Sequence, residues 1–149
     1  MKRNLITAFV AVALPVLGLT GYSARLAAGP EVVPKVDDRL QGSYRFERNG
    51  WIYVHLEGPP ERLGYQHGYL LAEEIADLLR VEKPFLLQTT NRDWNFYRQA
   101  AEKILWPKID AEYQREIDGI VAGVTARGVK ADRWDIVALN AICELPGYY

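Results

Sequence analysis

The chain has 149 residues, 49% of them hydrophobic and 25% charged, with a formal net charge of −1. That length holds one domain at most, and that composition excludes a disordered tail and a collagen-like repeat. Charge so near balance, with no basic stripe, excludes a nucleic-acid partner.

Four Trp and nine Tyr point to a real core or a ligand surface. The one cysteine, Cys143, makes neither an intrachain disulfide nor a Cys-rich zinc site. His55 and His67 lie far from it in sequence, and neither belongs to a ligand-spaced pair, so no metal site is expected.

Residues 1–28 read as an export signal. Lys2 and Arg3 form a positive start, and an apolar run from Leu5 to Leu19 is broken by Pro15. Small residues at Ser23-Ala24 and Ala27-Ala28 follow, near a possible cleavage point. The run is shorter than the ~20 residues of a membrane span. Cleaved signal peptide and uncleaved N-terminal anchor both remain open, and the expected location is periplasmic or secreted. Without this segment the rest holds 15 basic and 19 acidic residues, a net of −4. Residues 29–41, with Pro30 and Pro34, read as a linker to a domain over 42–149.

The stretch from Gly42 to Leu56 predicts a β-hairpin. Ser43-Tyr44-Arg45-Phe46-Glu47 alternates polar and aromatic residues, and Trp51-Ile52-Tyr53-Val54-His55-Leu56 is β-branched and aromatic. Asn49-Gly50 between them suits a two-residue type I′ turn, in which both residues have positive φ. His55 is expected as a half-buried strand residue with no carboxylate or nucleophile placed beside it.

A helix is predicted from about Pro60 to Lys83. Gly64, Gly68, Ala72 and Ala76 recur every fourth residue and form a ridge of very small side chains, suited to lying flat on a sheet. Glycine costs ~1 kcal/mol of helix stability relative to alanine, so the pair signals a packing demand. Glu73 and Glu74 are expected to face water, and His67 to pack or hydrogen-bond. Asp93 caps a predicted helix to about Leu105. Pro107 interrupts the helical run or begins a new helix. Ile109, Tyr113, Ile117, Ile120, Val121 and Val124 then repeat at helical spacing up to a stop at Gly128. Asp132 and Asp135 form an acidic capping box for a last helix that ends at Pro146-Gly147. Asn140 and Glu144 would share a face of it. The fold class is α+β: an N-terminal hairpin followed by three or four helices. A lone hairpin is marginal in water, so the fold reads as incomplete.

Two stretches resemble a known family. One runs from Gly42 to Ile75 and contains Gly64-Tyr65-Gln66-His67-Gly68-Tyr69-Leu70-Leu71-Ala72; the other runs from Trp134 to Leu145 and contains Leu139-Asn140-Ala141-Ile142-Cys143-Glu144. In this order they resemble the N-terminal region of the C45-type autoproteolytic acyltransferases and hydrolases, and the related phospholipase B-like proteins. The resemblance implies an αββα N-terminal-nucleophile sandwich, of which this chain is the part before the nucleophile. It implies a precursor that cleaves itself before a cysteine, whose thiol attacks amide or ester acyl groups while its α-amino group takes the proton. It implies a small acylated substrate, no cofactor, and a partner in the remainder of the hydrolase domain, with a membrane involved only if the leader stays uncleaved.

The family's nucleophile lies in a Cys-Ser or Cys-Thr pair, and the sequence holds neither. It is expected downstream of Tyr149, and no residue here is assigned as catalytic. Cys143 is a poor substitute: Glu144 would raise its thiol pKa, and freeing it would cut a predicted helix. It is expected as a buried or half-buried helix residue. Asn140 and Glu144 are the candidate site-supporting residues, either orienting the strand that bears the nucleophile or only capping the helix end. Competing readings are a non-catalytic exported module or relic that binds a partner through the hairpin edge, and an unrelated helical envelope domain.

Overall fold

The computed structural model describes residues 37–145; the leader, the linker up to residue 36 and the Pro146-Gly147 stop lie outside the described residues. Strands β1 (Tyr44–Arg48) and β2 (Trp51–His55) form an antiparallel pair in which Arg48 faces Trp51 and Tyr44 faces His55. The expected turn is there: Asn49 has φ +54° and Gly50 φ +79°. Among the described residues five α-helices follow: α1 (Pro60–Leu70), α2 (Ala72–Thr90), α3 (Trp94–Ala100), α4 (Ala111–Ala126) and α5 (Arg133–Asn140). The class is α+β. Among the described residues no helix is long and apolar enough to cross a membrane.

Five helices replace the three or four expected because the first one breaks. Leu71, at φ −116° and ψ 24°, separates α1 from α2. The second piece also runs past Lys83, through Pro84, to Thr90. Pro84 brings no N–H for the ladder, yet Leu86 beyond it is buried in the core. The helix stops at Asn91, left-handed at φ +55°, whose N–H reaches the Leu87 carbonyl.

The glycine ridge packs on a helix, not on a sheet. A Cβ at Gly64 or Gly68 would collide with the Glu116 or Ile120 carbonyl of α4. Reciprocally, a Cβ at Gly119 or Gly123 of α4 would collide with the Glu61 or Tyr65 carbonyl of α1. Two glycine pairs of the same spacing thus bring two backbones into contact, where any side chain would hold them apart.

The remaining caps are local. Asp93 accepts from the Phe96 N–H and starts α3. The chain then widens into a π-turn over Ala101–Leu105 and tightens into a 3₁₀ turn at Trp106–Lys108, where Pro107 stands. Gly128, at φ +80°, ends α4: its N–H bonds the Thr125 carbonyl, and the Val129 N–H bonds that of Val124. These two bonds make a Schellman closure. Asp132 accepts from the Trp134 and Asp135 amides, while Asp135 accepts from the Asp132 amide, completing the capping box. Tyr113 is exposed rather than on the apolar face of α4.

The core lies among the helices. Leu79 of α2, Tyr97 of α3, Val124 of α4 and Ile136 of α5 meet there, and no residue of either strand belongs to it. One polar knot ties it together. Buried Asp135 accepts from Trp94 Nε1 at 2.6 Å and pairs with Arg98 at 2.7 Å. Arg98 also grips Asp132, whose carboxyl it holds below the usual range.

Candidate functional site

The hairpin stands outside the core and is held by its feet. Gln66 of α1 is fully buried. Its Oε1 accepts from the Glu57 N–H just after β2, and its Nε2 donates to the Arg39 carbonyl just before β1. One side chain thus fixes both ends of the hairpin. Arg62 donates to the Arg39 and Gln41 carbonyls. Asp37 caps a short 3₁₀ turn at Asp38–Leu40 and accepts from both Arg39 and the Tyr65 hydroxyl. Arg39 lies 3.6 Å over the Tyr65 ring. Bonds from Arg39 and then Tyr65 hold the Asp37 carboxyl far below its ordinary range. Burial, followed by the Asp37 bond, pushes the Tyr65 phenol up to about 12.

Further along, one strut supports the hairpin. Arg45 of β1 reaches Glu74 of α2 through two bonds of 2.8 and 2.9 Å, and donates to the Leu70 carbonyl at the α1–α2 break. Burial works to raise the Glu74 carboxyl, but the Arg45 bonds outweigh it and leave it lowered. Glu74 therefore serves the hairpin instead of facing water, whereas Glu73 is exposed and pairs with Arg127.

Among the described residues, nothing covers the rest of the hairpin. Strand alternation places Tyr44, Phe46, Trp51, Tyr53 and His55 on one face. His55 stacks on Tyr44 at 5.0 Å, and Phe46 on Tyr53 at 4.9 Å. Trp51 is 71% exposed, and Tyr44, Phe46 and Tyr53 are each about half exposed. Among the described residues, every exposed large hydrophobic except Tyr113 lies on the hairpin or on α2. On α2, Leu78, Val81 and Phe85 follow Glu74 at helical spacing, so the exposed stripe starts where the hairpin is strutted.

The residues singled out from the sequence fall elsewhere. Asn140 is the last residue of α5, and its Nδ2 donates to the Ile136 carbonyl one turn back at 2.9 Å. Glu144 is exposed in the turn beyond, its N–H bonded to the Ala141 carbonyl. Because α5 ends at Asn140, the two do not share a helix face. Cys143 is in that same turn and exposed, not buried in a helix. His55 is exposed too, and it does have a carboxylate beside it: Glu57 Oε2 lies 3.6 Å from its Nε2. His67 is half-buried in α1; burial lowers its pKa, opposed by Glu116. Among the described residues no group of three or more His, Cys, Asp or Glu could hold a metal ion.

Sequence reading missed Gln66, Tyr65 and Asp37 as the hairpin's anchor, and Gly119 and Gly123 as the second half of the seam. The glycine pair was detectable, since it repeats the spacing of Gly64 and Gly68. The anchor was not, because its bonds span up to 28 residues and follow no period. No family model, no curated protein and no solved structure matches the chain.

Proposed function

We propose that this chain is the N-terminal portion of an exported cysteine N-terminal-nucleophile hydrolase or acyltransferase. It acts, in this reading, on amide or ester acyl bonds of small substrates, and sequence outside the chain supplies the nucleophile. The uncovered hairpin carries the reading. An isolated two-stranded pair is marginal in water, and it becomes stable when further strands or a packed face join it. Covering a large apolar side chain contributes about 1.5–3 kcal/mol. Leaving Tyr44, Phe46, Trp51 and Tyr53 open forgoes several such contributions on one face. The Gly64–Ala72 motif also has a physical role under this reading. Its glycines seat α1 on α4, and Tyr65 and Gln66 between them hold the hairpin where a larger sheet would start. Asn140 and Glu144 belong to the proposal only as supports near the end of α5.

The test is to express the gene with the codons that follow Tyr149. The reading expects a Cys-Ser or Cys-Thr pair and a precursor that splits before that cysteine. Mass spectrometry would find a new N-terminal cysteine, and a cysteine-to-alanine change would leave the precursor whole. A product that stays intact and releases no acyl group from amide or ester substrates would sink the proposal.

A further inference from the structure

A cleft of about 390 Å³ lies between the middle of α2 and the loop from α4 to α5. Its floor is apolar, made by Ala76, Leu79 and Val129. Arg80 and Lys83 of α2 and Lys130 of the loop stand around it, and no carboxylate lines it. Two other charged clefts are different. The one beside Tyr65 holds Glu61 and Asp118 with its arginines, and the one beside Tyr69 holds Glu47 and Glu73. Positive charge is matched within those clefts and unmatched within this one.

The three cations keep donors to spare. Arg80 gives Nε and Nη2 to the exposed carboxylate of Asp77, and its Nη1 has no partner among the described residues. Lys83 is held in place without spending a hydrogen bond. Its Nζ lies 5.6 Å from the centre of the Trp94 ring. It lies 4.0 Å from Asp135 Oδ1, beyond hydrogen-bond reach. That carboxylate is already taken by Trp94 Nε1, Arg98 and the Asp132 amide. Lys130 forms no ion pair among the described residues. Of the acids paired nearby, Asp77 matches Arg80, Asp135 is shared with Arg98, and Glu73 is spent on Arg127. Lys83 and Lys130 therefore bring surplus charge to an apolar floor.

We propose that this cleft binds a small organic anion, a carboxylate or phosphate head on a short apolar chain. The head accepts from Lys83 and Lys130, with Arg80 at the rim, and the chain lies on Ala76, Leu79 and Val129. Charge-assisted bonds are roughly twice as strong as neutral ones, so the head supplies the larger share of the selectivity. A bare inorganic anion would leave the floor wet, and a neutral amphiphile would leave the ammonium groups to water. Small-molecule pockets run from about 300 to 1,000 Å³, and this one suits a ligand at the low end.

The test is titration of the full chain with hexanoate, hexyl phosphate, hexanol and acetate, followed by amide chemical shifts. Hexanoate or hexyl phosphate is expected to bind saturably and to shift Leu79, Val129 and Lys130. Tighter binding of one of them names the head and supports the inference. Hexanol lacks the charge and acetate lacks the chain, so each is expected to bind at least about tenfold more weakly. Lys130→Glu reverses a charge that no described residue uses, and it is expected to weaken the anions at least about tenfold. Lys108→Glu makes the same change outside the lining and is expected to leave binding as it was. Should Lys130→Glu lower the unfolding midpoint, Arg80→Ala repeats the test at an exposed side chain and is expected to weaken binding severalfold. Hexanol binding as tightly as hexanoate would reveal a merely apolar surface. An equal loss in Lys108→Glu would reveal a diffuse charge effect, and no saturation at millimolar ligand would mean no site. Each of these three results overturns the inference.

Discussion

Gln66 holds the hairpin at both of its ends. Its amide joins the segments before β1 and after β2 to α1. Gln66→Ala would leave the Glu57 N–H and the Arg39 carbonyl without these partners. The expected loss is about 1–3 kcal/mol by urea unfolding, with faster amide exchange through both strands. Unchanged exchange in β1 and β2 would show that Gln66 is not their anchor. His67 gives a pH signature. Burial lowers its pKa from 6.5, so the unfolded chain binds a proton that the fold resists. Its contribution is complete above that value and falls away as pH drops below it. Urea unfolding of His67→Gln should show a shallower decline as pH falls below about 6.5 than the native chain, and equal slopes would exclude the histidine. At this scale the sequence was legible where a side chain serves the backbone within three residues, as at Asp93, Asp132 and Asp135. It was opaque at Tyr65 and Gln66, whose partners are distant and unpatterned.

The decisive elements are α1 and α4, joined through four glycines. Gly68→Ala would drive a methyl into the Ile120 carbonyl, and backbone cannot move aside as a flexible side chain can. A loss of about 3 kcal/mol or more is expected, at or above the usual range for overpacking. Gly128→Ala is the control. Open space surrounds it, and only its positive φ resists the change, so the loss should be about 1 kcal/mol. Equal losses by thermal or urea unfolding would contradict the tight seam. Spacing in the sequence announced a close approach at Gly64 and Gly68 but not the surface approached. The same limit explains the missed break at Leu71. Apolar residues continue at helical spacing across it, and only tertiary placement, with Arg45 bonded to the Leu70 carbonyl, distinguishes two helices from one.

Across the whole described region, the helices bury a core and the hairpin stays outside it. Among the described residues, the exposed aromatic face and the exposed stripe of Leu78, Val81 and Phe85 on α2 lie on the hairpin and the one helix face strutted to it. The α+β class and the hairpin were readable because alternation and the Asn-Gly turn are local signals. How the hairpin would be covered was not, since no local pattern describes a surface that lies elsewhere. The most direct measurement is the sequence of the genomic DNA past the codon for Tyr149. The hydrolase reading predicts an open frame with Cys-Ser or Cys-Thr within a few dozen codons. A stop codon at that point would contradict it, leaving a chain that performs no such catalysis and an aromatic face to be covered by some other partner.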